Sequence, residues 1–192
     1  MTALGFRVKS GRAIAVVLTG TAAEPTPAGR TVVELCDPDV EETRQPYHSG
    51  FGQAEEDRQE IARRVQIVER VARTSVAALL RTHDVTKTCR AGLVVGSVID
   101  PASVANPHIR AHANEGRLFR VVVEKALAGK GIDASVIVER ELRDSARARL
   151  RISDRQLDQR LDAFGKALGR PWRADEKAAA LAAWMSLAVR NV

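Results

Sequence analysis

Cysteine is scarce in this sequence. Cys36 and Cys89 are the two in 192 residues, far apart and without a CxxC spacing. That argues against a disulfide framework or a zinc knuckle and leaves two reduced thiols in or near a core. Long apolar runs are missing as well. No stretch approaches the roughly 20 residues that a membrane-spanning helix needs, so no membrane partner is expected. The N-terminus, MTALGFRVKSGRAIAVVL, has no apolar segment ending in a small-residue cleavage site. These absences point to a cytoplasmic chain. Neither a Walker A loop nor G-x-G-x-x-G occurs, so the two standard nucleotide loops are not supported. No internal repeat or dividing linker is visible, and residues 1–192 read as one domain.

What is present is ordinary for a globular protein: 45% hydrophobic and 28% charged residues. The net charge is +6, which favours polyanionic partners. Arginine supplies most of the excess, and its planar fork suits phosphate. A solvated basic surface accounts for the same charge without any partner.

Residues 4–9 and 13–19 are short β-rich runs separated by Ser10-Gly11-Arg12, which reads as a hairpin. Residues 21–29 form a Pro/Gly loop, and 30–36 a third strand. A long loop spans 37–53, a length that is often functional. Residues 54–82 carry Ile61, Val65, Val68, Ala72, Val76 and Leu79 on one helical face. The run 91–99 suits a strand buried on both faces. Asn106-Pro107 opens a helix reaching about Leu127. A fifth strand covers 134–139. A helix follows the Ser153/Gln156 capping box, and a last one covers 174–188, with Leu181, Trp184, Met185 and Ala188 inward. The order β-β-β-α-β-α-β-α-α implies a mixed five-stranded α/β sheet covered by helices on both faces.

That order is similar to the ribonuclease H-like superfamily, in particular to RuvC-type Holliday-junction resolvases and their YqgF-type relatives. Two stretches carry the likeness. Gly5-Phe6-Arg7-Val8-Lys9-Ser10-Gly11-Arg12-Ala13-Ile14-Ala15-Val16 resembles the opening hairpin G-[IVL]-D-x-G-x-x-x-x-G-x-A. Asp175-Glu176-Lys177-Ala178-Ala179-Ala180-Leu181-Ala182 resembles the closing helix D-x-x-D-A-L-A. The resemblance extends to bacterial proteins without an assigned activity. Nucleases of this family set about four carboxylates around two metal ions. Here the first-strand aspartate falls on Arg7, a cation that cannot ligate Mg²⁺, and the second acid of the closing helix falls on Ala179. Glu176 matches the first of that pair. Asp100, Asp175 and Glu176 are the candidate catalytic acids that remain.

Other constellations stand beside this one. His108, His112 and Glu115 fall at i, i+4 and i+7 of a helix and share one face, with Arg110 and Arg120 nearby. Imidazole and carboxylate in that spacing could hold Zn²⁺ or Fe²⁺. Ordinary helix polarity produces the same pattern, and with no outside ligand identifiable no residue is assigned to a metal. Arg44, Tyr47 and His48 sit in the long loop, where binding residues concentrate; a Pro-stiffened turn with a packed tyrosine explains them equally. Arg143, Arg147, Arg149, Arg151 and Arg155 could track phosphates, or form a solvated face laced with Asp144 and Asp154. Glu139 and Glu141 read as structural partners for arginines.

The expectation is therefore a ribonuclease H-like domain without the usual two-metal carboxylate set and without a cofactor, acting by binding nucleic acid through its arginine-rich face or by joining a protein complex. Lys9, Asp100 and the start of the last helix are expected to converge, with the His108 face close by. The rival is a metal-dependent nuclease or hydrolase with a rearranged site, which alone would call for Mg²⁺ or Mn²⁺. Three or more histidines or carboxylates within ligand distance would favour the rival; arginines alone would favour binding.

Overall fold

The computed structural model describes residues 1–50, 52–85 and 89–188. Five strands, β1 (Thr2–Lys9), β2 (Arg12–Gly20), β3 (Pro25–Glu34), β4 (Arg90–Val95) and β5 (Asp133–Val138), form one sheet in the order β3-β2-β1-β4-β5. β1 is central, antiparallel to β2 and parallel to β4, as the hairpin and the buried run 91–99 imply. Helices α1 (Arg58–Thr82) and α2 (Pro107–Ala128) pack on one face. Helices α3 (Leu142–Leu150), α4 (Asp154–Leu168) and α5 (Ala174–Leu187) cover the other.

The strand period of two sorts β1 between these layers. Leu4, Phe6 and Val8 join the α1/α2 core, while Ala3 points to the α5 side. Gly5, Arg7 and Lys9 share that α5 parity. Gly5 lies directly beside Gly92 of β4, and the two form a floor without Cβ atoms. A Cβ on Gly5 would lie 1.9 Å from the Ala179 carbonyl oxygen, so α5 seats backbone against backbone. This is why α5 is alanine-rich and buried almost all round, from Ala178 to Leu187, rather than on the single stripe expected.

Several boundaries differ from the sequence reading for identifiable reasons. β3 begins at Pro25 inside the expected Pro/Gly loop. As an edge strand it tolerates Pro25 and Pro27, whose missing N–H groups would face solvent, and a bulge opposite Val17/Leu18 absorbs the extra residue. β4 stops at Val95, so Val98 and Ile99 are exposed and not part of a strand. α1 starts at Arg58 because Asp57 Oδ1 accepts from Gln59 N–H and Glu60 N–H. Helix α3 is additional to the expected order. Its buried residues Leu142 and Ala146 are one turn apart, too sparse a stripe to stand out among arginines. It ends at Arg151 with φ 55°.

Cys36 and Cys89 are both buried free thiols. Burial pushes the Cys89 thiol up to about 11, so little of it is thiolate at neutral pH. A thiol reagent at pH 7–8 is expected to label neither cysteine in the native protein and both after unfolding. Fast native labelling of Cys89 would contradict its placement.

Candidate basic cleft and histidine cluster

The C-terminal ends of β1 and β4 open onto a cleft of about 620 Å³. Its walls are the hairpin turn Lys9 to Arg12, the exit of β4 at Val95 to Ser97, and Gly116 and Phe119 of α2. The charged groups lining it are Arg7, Lys9, Arg12 and Arg44 against Glu34, a clear cationic excess. In open α/β sheets, ligands settle outside the carboxyl ends of strands where connections diverge in opposite directions. From β1 the chain turns to β2, and from β4 it crosses to β5, so this cleft sits at such a point.

Arg7 organises the floor. It is 7% exposed. Its Nη2 donates to Glu139 Oε2 at 2.5 Å, and its Nε lies 3.7 Å from Asp175 Oδ1. Lys9 Nζ donates to Asp175 Oδ2 at 2.8 Å. The position of the family's first-strand acid thus carries a guanidinium paired with two carboxylates. Glu139 does partner an arginine, as its strand-end position implies. Lys9 and the start of α5 converge as expected. Asp100 does something else: its Oδ1 accepts from Ala102 N–H at 3.1 Å, capping an exposed turn. Glu176 accepts from Arg173 N–H at 2.8 Å and lies 3.8 Å from Arg30, closing the first turn of α5. Ala179 is fully buried against Gly5.

The long loop, as described over residues 37–50, folds back onto α2. Thr43, fully buried, donates to Val40 O at 2.6 Å and accepts from Asp37 N–H. Arg64, buried on α1, donates to the His48 carbonyl at 3.0 Å and to Glu55. Held this way, His48 is buried and meets His108 and His112, one turn apart at the start of α2. Asn106 accepts from Ile109 N–H and Pro107 fills the first turn of that helix. Ring centroids lie 5.1 Å apart for His48–His108, 4.4 Å for His48–His112 and 4.6 Å for His108–His112. One ring nitrogen from each lies within 4.8 Å of the others. Glu115, 1% exposed, reaches His48 Nδ1 at 2.6 Å through Oε1 and His112 Nδ1 at 3.4 Å through Oε2.

Sequence spacing found His108, His112 and Glu115 on one face. It did not join His48 to them, since a residue 60 positions away on a loop carries no periodic signal. Tyr47 packs partly on the core, and burial, opposed by nearby Arg117, pushes its phenol above the ordinary range. Arg44 lines the cleft. Arg110 donates to the Val104 and Ala105 carbonyls, capping the turn ahead of α2. Arg120 pairs with Glu124. In the arginine-rich face, Arg143 is held by Asp154 and Asp158, and Arg147 by Asp144 and Asp154. Those pairs are exposed and screened. Arg151 is exposed at the left-handed end of α3.

Sheet order, helix layers and crossovers define a ribonuclease H-like α/β fold. Two solved structures share it: "Thermus thermophilus RuvC structure", with a TM-score of 0.53 at 11% identity over 96% of this chain and 92% of that one, and "T. thermophilus RuvC in complex with Holliday junction substrate", with a TM-score of 0.54 at 11% identity over 96% and 91%. No family model and no curated protein matches the chain. Among the described residues, no helix is long and apolar enough to cross a membrane.

Proposed function

We propose that this domain binds the phosphodiester backbone of a nucleic acid in the basic cleft and does not cleave it by two-metal chemistry. The observation that carries this reading is Arg7, a buried cation ion-paired with Glu139 and Asp175 where a two-metal centre needs an uncompensated carboxylate cluster. Among the described residues, Arg12 and Arg44 have no carboxylate partner, and both line the cleft, leaving two guanidiniums for phosphate. The solved RuvC bound to a Holliday junction makes branched DNA the natural first probe.

Titrating labelled branched DNA tests this. If Arg12 and Arg44 each neutralise one phosphate, log K falls with log salt at a slope near −1.8, so affinity drops about 12-fold between 50 and 200 mM salt. The double variant Arg12→Ala, Arg44→Ala should flatten the slope by about two units. If the triple variant Arg147→Ala, Arg149→Ala, Arg151→Ala flattens it instead, the face at 143–155 is the contact. No binding at 50 mM salt, or Mg²⁺-dependent cleavage abolished by Asp100→Asn, would overturn the reading.

A second reading has its own observation. Three histidines come within ligand distance of one another, which meets the criterion for a metal-dependent hydrolase with a rearranged site. His112 is one helical turn from Gly116 in the cleft wall, so such a site would stand at the rim of the same cleft. Cleavage of DNA or RNA that needs His112 and not Asp175 would favour it.

A further inference from the structure

We infer that His48, His108 and His112 bind a zinc-class dication, with Glu115 as the carboxylate that orients His48. The inference is independent of nucleic-acid binding in the cleft.

The first argument is the donor set. Three neutral imidazoles suit Zn²⁺ and its neighbours and not Mg²⁺ or Ca²⁺, which take oxygen. His108 and His112, at i and i+4 on α2, present their rings to the same side, and the loop brings the third from above. Gly52, with φ +74°, lets the loop approach; a Cβ there would lie 3.3 Å from His108 Cε1. A tetrahedral ion with Zn–N near 2.0–2.1 Å sets nitrogens about 3.4 Å apart. From a spread of up to 4.8 Å, the rings close by about 1.4 Å at most. His108 and His112 are exposed and can turn without disturbing the core.

The second argument is unsatisfied burial. His48 is 6% exposed, its Nδ1 is engaged by Glu115, and its Nε2 is buried without a partner. Glu115 Oε2 is buried without a hydrogen bond too, with His112 Nδ1 3.4 Å away. A buried nitrogen and a buried carboxylate left so are costly unless something compensates. A dication on His48 Nε2 supplies both needs: it fills the nitrogen's lone pair and balances the carboxylate's charge. A ligating histidine that gives its other ring N–H to a carboxylate is the usual outer-shell arrangement, fixing tautomer and ring orientation. Three protein ligands leave a fourth position for water or another small ligand.

The test uses the full chain, stripped of metal with a chelator and dialysed. Co²⁺ is titrated while visible absorption is read, and thermal unfolding is followed with Zn²⁺ or Mg²⁺. The expected result is a set of Co²⁺ ligand-field bands saturating at one equivalent. Zn²⁺ at a hundredfold excess over its Kd should raise Tm by roughly 5–10 °C, with no response to Mg²⁺. His108→Ala and His112→Ala change exposed residues, so metal-free Tm should hold while both metal responses vanish. Glu115→Gln should keep the bands and weaken Co²⁺ affinity about 10–100-fold, as loss of an outer-shell partner does. Absence of bands and of a Zn²⁺-induced Tm shift in the unaltered chain would overturn the site. So would a full response in the His108→Ala, His112→Ala double variant. DNA titrations run with EDTA report on the cleft alone, so either idea can fail without the other.

Discussion

Gly5→Ala is expected to destabilise the protein by about 3 kcal/mol or more, at the upper end of overpacking penalties, and to lower Tm by about 6–12 °C for a chain of this size. The added Cβ would meet the Ala179 carbonyl oxygen at 1.9 Å and the Ala183 nitrogen at 2.5 Å. Both are backbone atoms of a helix held from two sides, by the sheet and by α3 and α4, so the contact cannot be relieved by a rotamer change. Shrinking the neighbour should not help: Ala179→Gly in the Gly5→Ala background is expected to recover nothing. Gly116→Ala is the control. A Cβ there meets nothing within 4 Å, and replacing a mid-helix glycine should stabilise by up to about 1 kcal/mol. Chemical denaturation of the three variants checks the set, and a loss below about 1 kcal/mol for Gly5→Ala would mean that α5 can lift off the sheet cheaply.

Arg7→Ala is expected to cost about 2–3 kcal/mol. Removing one partner of a buried ion pair typically costs about 3–5 kcal/mol, because the other charge stays behind. Here Glu139 is about half exposed and Asp175 about a quarter exposed, so water can take over part of the lost interaction and the lower figure applies. Arg7→Lys should recover only part, since a point charge cannot reach Glu139, Asp175 and the Val8 carbonyl together. Without the guanidinium, Glu139 loses its Arg7 partner and Asp175 keeps Lys9 alone. Millimolar Mg²⁺ should then restore part of the variant's stability while leaving the unaltered protein unchanged. Denaturant midpoints with and without Mg²⁺ decide this. A loss under about 0.5 kcal/mol would show that Arg7 does not hold the floor together.

Much of the fold was legible because the relevant signals are local. The β-rich runs of β1 and β2 split by a glycine turn, the apolar stripe of α1 and the capping box of α4 are each local signals, and each element formed within a few residues of where they placed it. Legibility failed where context outweighed the local signal. The prolines of β3 read as loop until an edge position made their missing donors harmless. Val98 and Ile99 read as strand because hydrophobicity says nothing about where the neighbouring strand ends. Helix α3 went unread because its buried stripe is two residues long.

The site divides in the same way. Sequence alone determined that Arg7 and Ala179 stand where the resemblance asks for acids, and that His108, His112 and Glu115 share a face, since both follow from position along one chain segment. Only the tertiary structure decided what those residues meet. Arg7 reaches Glu139 and Asp175 across 132 and 168 positions, Glu176 closes a helix turn, and His48 arrives on α2 from a loop pinned by Arg64. The physical reason is that side-chain period fixes the direction a residue faces, whereas a pair or ligand set needs distance. Distance between remote segments comes from how close layers pack, here set by glycines at 5 and 92 that let α5 settle onto the sheet.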